Sequence, residues 1–210
     1  MADQLYLSLW FPNFRLASLP EKITCVLDQL ARVAKNGGRV TVASAIPLGW
    51  NESPVFQRVF VHDERAQDSD DSLAKNAVGE ATEQLHDDMA YEFEAKWQLW
   101  QPEDAAEGFD MTWRMEPSTI KVIGFGPEFD DASYEQNGHI RVDFGLDTPW
   151  VQDETQLDED GQKRLQQNVE MLLAFVLSVE KHCGISSRLL WTESGEPLAE
   201  KLIATLQRVN

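Results

Sequence analysis

The sequence predicts an α+β fold, an antiparallel sheet with helices, whose N-terminal half follows the ferredoxin-like order β-α-β-β-α-β and whose C-terminal half reads β-β-β-α-β-α. Three observations carry this expectation. The segment AYEFEAKWQLW (90–100) sets Tyr91, Phe93, Ala95, Trp97 and Leu99 against Glu92, Glu94, Lys96 and Gln98, a period of two that marks a strand with one buried face. Segments 18–38 and 162–183 repeat apolar residues at helical spacing instead. Glycine, proline and acidic clusters punctuate the chain between these runs.

Taken in order, LYLSLWF (5–11) is a strand that Pro12 ends. The helix over 18–38 has Ser18 and Glu21 at capping-box spacing, Pro20 in its first turn, and a stripe of Ile23, Val26, Leu27, Leu30 and Ala34. Asn36-Gly37-Gly38 supplies its left-handed cap. Those glycines follow a helix and do not open one, so they are no phosphate loop. Strands are expected at 39–46 and 54–63, a helix capped near Asp70-Asp71-Ser72 over 73–89, and the alternating strand at 90–100.

In the second half the strands are 111–116, 119–126 and 139–145, the last two a hairpin around the acidic loop 127–138. An apolar helix over 162–183 ends at Gly184. A strand at 187–193 and a helix at 196–209, with Leu198, Leu202, Ile203 and Leu206 as its stripe, complete the chain. Two packed α+β domains, 1–101 and 102–210, and one continuous sheet both satisfy this order.

The 210 residues include 42% hydrophobic residues and seven tryptophans, enough for a packed core. The longest apolar run, MLLAFVL (171–177), is too short to span a bilayer, and the N-terminus lacks the basic region and cleavage site of a secretory signal. The expectation is a cytoplasmic protein without a membrane partner. Cys25 and Cys183 permit one disulfide but no disulfide framework.

The net charge of −18 is unevenly placed. Residues 61–160 hold 27 acidic and six basic side chains, while both flanks are slightly basic. Such a surface repels phosphate backbones, so nucleic acid is not an expected partner; a basic protein is. Solvation of loops and wet helix faces is the plainer explanation of the same acids.

No motif of catalysis or cofactor binding emerges. Glu83-x-x-His86 has the spacing of a bundle metal ligand pair. On a helical wheel with Val78, Ala81, Leu85 and Met89 facing inward, Glu83 lies on the far side and His86 on the border, so the acids read as a solvated face. Asp158-Glu159-Asp160-Gly161 fails the calcium-loop pattern at Gln156 and Gln167, and reads as the start of the long helix. The segment GFG (124–126) belongs to a strand, not to a dinucleotide turn. Cys25 lies opposite its helix's apolar stripe, and Cys183 on the stripe of its own, as a buried filler. No metal and no cofactor are expected.

The residues left over are aromatic. Trp50 in PLGWNESP and Trp150 in DTPWVQDE sit in loops among polar and acidic neighbours, the ingredients of a binding anchor. The functional expectation is therefore a protein-binding module, not an enzyme. Trp50 and Trp150 would serve as its anchors, and Glu128, Asp130 and Asp131 as acids facing a basic partner. By charge and size alone this is the profile of an immunity- or inhibitor-type protein. The alternatives are an enzyme with a pocket near His62 or His139, and a structural subunit of a homo-oligomer.

Overall fold

The computed structural model describes residues 2–34, 38–61, 70–103, 112–130, 133–151 and 157–195. Among them the elements are β1 (Gln4–Trp10), α1 (Leu19–Val33), β2 (Val40–Pro47), β3 (Phe56–Val59), α2 (Asp70–Ala81), β4 (Met89–Glu103), β5 (Thr112–Phe125), α3 (Ser133–Gln136), β6 (Ile140–Leu146), α4 (Glu159–His182) and β7 (Ser187–Thr192). The seven strands form one antiparallel sheet in the order β3-β2-β4-β5-β6-β1-β7. The α+β class is therefore as expected, and the sheet is continuous through both halves of the chain.

The chain order β-α-β-β-α-β of the first half is present, but its strands do not form a sheet of their own. β1 pairs with β6 and β7, and β5 and β6 separate it from β4. The pairing of β4 with β5 explains this. Their register runs from Ala90↔Phe125 to Glu103↔Thr112, across the 101/102 division. It also carries β5 straight through Pro117, where the sequence suggested two strands, 111–116 and 119–126.

Alternation decides which face is buried. Leu5, Leu7 and Leu9 of β1, Tyr91 to Leu99 at alternate positions of β4, Ile120 and Val122 of β5, and Ile140, Val142 and Phe144 of β6 belong to one core with Ile23, Val26, Leu27 and Leu30 of α1 and Leu172, Phe175, Val176 and Val179 of α4. At Gly124 the sheet has no side chain because α1 lies on it: a Cβ there would come 2.6 Å from Ile23 Cδ1. Trp150, expected as an exposed anchor, is fully buried in this core, with its ring edge-on to Phe144 at 5.8 Å. Asn168, also buried, accepts from the Trp100 N–H and donates to the carbonyls of Trp100 and Pro149, which ties α4 to β4 and to the loop that carries Trp150.

A helix reading changes in the structure. α2 ends at Ala81 rather than continuing to Met89. Beyond it the Tyr91 hydroxyl donates to the Gln84 carbonyl at 3.0 Å and accepts from the His86 N–H at 2.9 Å, so a buried strand residue satisfies the backbone that another helical turn would have paired. Glu83 and His86 therefore lie in a turn. α4 begins as expected, with Asp158 accepting from the Gly161 N–H at 2.7 Å as its N-cap.

The other change concerns the cysteines. Cys25 and Cys183 are joined in a disulfide, with their Cα atoms 5.8 Å apart. Cys25 does point away from the sheet-facing stripe of α1, but α4 packs along that side, and Cys183 closes its C-terminus there. Beside the bond, Ser178 and Arg32 both donate to the Gln29 side chain. No helix among the described residues is long and apolar enough to cross a membrane.

A bond between residues 158 apart in a chain of 210 restricts about three quarters of the unfolded chain. Reduction, or replacement of both cysteines by serine, is expected to lower unfolding stability by about 2–5 kcal/mol. Urea denaturation with and without reductant measures this, and an unchanged midpoint would overturn the expected stabilisation.

Candidate partner-binding surface

The sheet face turned away from the helices carries charge. By register, Glu94, Lys121, Asp143, Tyr6 and Trp191 form one cross-strand row, and Glu92, Ile123, Arg141 and Ser8 the next. Lys121 bonds Glu92 at 3.0 Å and lies 3.5 Å from Glu94. Burial acts to lower the Lys121 pKa, but the two carboxylates outweigh it and hold the ammonium above its usual range. Trp191 Nε1 donates to Ser8 Oγ at 3.0 Å, and the Trp191 ring lies 4.7 Å from that of Tyr6.

At one end of the sheet three turns cover this face. The β2–β3 turn joins the other two: the Leu48 N–H donates to Asp88, and the Leu48 carbonyl accepts from Asp130. The turn after β5 is fastened to the α2–β4 turn in the same way, with Gly126 N–H donating to Met89 and Glu128 N–H to Asp87. Gly126 is required at this approach, because a Cβ would come 2.2 Å from the Asp87 carbonyl oxygen. Beneath the turns Ala90, Ile123, Phe125 and Phe129 make a second, smaller core, with Ile46 and Tyr134 packed on it.

Trp50 stands on that core. Its ring is edge-on to Phe125 at 5.8 Å and to Phe129 at 5.2 Å. The Arg141 guanidinium lies 5.1 Å from Trp50, 5.0 Å from Tyr6 and 5.5 Å from Phe125, a cation held among three rings. Burial lowers the Arg141 pKa, and its Nε has no hydrogen-bond partner among the described residues. The cation–π contacts orient the Trp50 ring while leaving it 38% exposed.

The structure thus brings together residues that the sequence showed only as separate loops. Trp50, Glu128 and Asp130 share this end, with Glu52, Glu83 and Asp87 exposed around them. None of the three turns contains a lysine or arginine. Asp131 lies outside the described residues. Trp150 is on the helix side of the sheet, enclosed by the main core, so it presents no surface to a partner.

Sequence reasoning missed two further contributors. Leu48 is 62% exposed at φ +61°, a strained position for a leucine. Arg141 was legible only as a residue of the strand expected at 139–145, because its three rings come from distant segments.

The histidines are placed as follows. His62 lies outside the described residues. His139 Nδ1 accepts from the Phe11 N–H at 3.0 Å, and its ring stacks on Phe14 at 4.2 Å with Phe11 and Tyr134 alongside. Burial lowers its pKa. The imidazole is a structural acceptor that closes the β1 end. Among the described residues no three potential metal-ligating side chains converge. No known protein family, curated protein or solved structure matches the chain.

Two outcomes follow from this geometry. The folded protein favours neutral His139, so its contribution to stability is complete above the unfolded pKa of about 6.5 and is lost as the pH falls through the lower folded value. Subtracting the stability–pH curve of His139→Leu from that of the wild type should isolate this acid-side loss. A flat difference would contradict it. Gly126→Ala is expected to cost roughly 1–3 kcal/mol by forcing apart the turns at Asp87 and Glu128, read by chemical denaturation.

Proposed function

We propose that the protein is a binding module whose acidic, Trp50-bearing end engages a basic surface of a protein partner. The observation that supports this reading is the joining of three cation-free turns, with exposed Glu52, Asp87, Glu128 and Asp130, around an exposed tryptophan whose ring is already held in place. Acids raise the rate of encounter with a basic surface. A ring fixed before binding loses little freedom when a partner covers it, the condition of an anchor residue. An immunity- or inhibitor-type role suits this reading by analogy.

The enzyme alternative has less support, since His139 already accepts a backbone hydrogen bond within a ring cluster. Self-association through the acidic end would bring like charges together. The cystine bears on location. A lasting Cys25–Cys183 bond suits an oxidising compartment, whereas the cytoplasm expected from the sequence would hold the pair as thiols.

Affinity capture from native extract, eluted by rising salt and identified by mass spectrometry, tests the proposal. A basic protein should be retained at low salt and released at high salt. Trp50→Ala is expected to weaken its capture by about tenfold or more, and paired Glu128→Lys and Asp130→Lys to abolish the salt-dependent part. Retention that neither change alters would refute it.

A further inference from the structure

We infer that the partner's contact includes an extended, lysine- or arginine-bearing segment that adds to the sheet as a strand along the outer edge of β3. This rests on the proposed binding of a basic partner and specifies how it is held. Five of the nine large apolar side chains exposed among the described residues, Leu48, Trp50, Val55, Val59 and Val61, fall within residues 48–61. They run from the acidic turn directly into the edge strand.

The backbone of β3 is engaged by β2 on one side, and on the other no partner strand is present among the described residues. Its register with β2 runs from Val42↔Val59 to Ala45↔Phe56, and the Phe60 N–H donates to Thr41 at 2.8 Å. In an antiparallel ladder that register directs the N–H and C=O groups of Phe56, Arg58 and Phe60 to β2, and those of Gln57 and Val59 outward. Among the described residues no strand pairs with that outer side.

The side chains divide in the same way. Arg58 bonds Glu80 of α2, and Phe56 and Phe60 pack on the main core. Val55, Val59 and Val61 lie on the open face, 64%, 66% and 92% exposed. Exposed edge strands usually carry a lysine, a proline or a bulge that discourages pairing. Between Val55 and Val61 the only charge is Arg58, which is turned toward α2.

An incoming strand is the occupant that meets outward backbone groups in series; a helix would leave them unpaired. Charge selects its composition. Glu52 precedes β3 and joins it to the acidic end, where Asp87, Glu128 and Asp130 are exposed. A segment carrying lysine or arginine matches those acids, whereas a second copy of this chain brings another net charge of −18 to the contact.

The test uses a short peptide of alternating lysine and valine, and the same peptide N-methylated at alternate residues, which keeps charge and side chains but cannot form a ladder. Amide exchange of the wild-type protein is followed with each. The expected result is protection of the Gln57 and Val59 amides by the plain peptide, with at least about tenfold weaker binding of the methylated one. Val59→Pro, which removes only an outward N–H, should weaken the plain peptide to a similar extent. Equal binding of both peptides without protection at β3 would overturn strand addition and leave the proposed basic partner standing. Binding of neither peptide would overturn strand addition, and the salt-dependent capture from extract then judges the basic partner independently. Dimers of the protein alone that protect the same amides would overturn it in favour of a second copy.

Discussion

The register of β4 against β5 is the constraint on which the rest of the structure depends. It sets Phe93 opposite Val122 and Glu94 opposite Lys121, so one face of the sheet's middle is apolar and the other is a ladder of charges. A slip by one residue would turn Glu92, Glu94 and Lys96 toward α1 and α4 and expose Tyr91, Phe93 and Trp97. Burying those charges without partners is prohibitively costly, so the register has a single solution. It passes on to β2 through Ala43↔Phe93 and to β6 through Val122↔Val142.

The two faces consequently mature differently. The helix side closes as a continuous core around Trp97, Phe144, Phe175 and Trp150, and is fastened by Asn168 and by the Cys25–Cys183 bond. Among the described residues the other side is closed at one end, where Phe125 and Phe129 form a small platform under Trp50. Arg141 sits at the boundary. It is a cation on the charged ladder's side of the sheet, yet aromatic rings are its neighbours, and the same contacts orient the tryptophan that the turns expose.

Trp50 and Trp150 show how far a loop sequence can be read. Both lie among polar neighbours, and local composition treats them alike. Their difference arises from the face of the sheet each loop returns to: the turn after β2 crosses the open face, whereas the segment after β6 folds back under α4. A loop has no period of its own, so it carries no local signal of which face it will meet. The same holds for the α2–β4 turn, where the hydroxyl of Tyr91 ends a helical pattern that extended to Met89 by sequence alone.

What the sequence determined by itself is what periodicity and charge can encode over a few residues. It set the inward face of β4, the stripe of α1, the acidic start of α4 under Asp158, the α+β class, and the concentration of acids in the middle of the chain. Only the tertiary structure decided that β1 lies beside β6 and β7, that Cys25 meets Cys183, and that Trp50, Glu128 and Asp130 share one end while Trp150 is buried. Each of these joins segments far apart in the chain, and each is settled by which apolar faces pack together. No short stretch of sequence records that competition among distant surfaces.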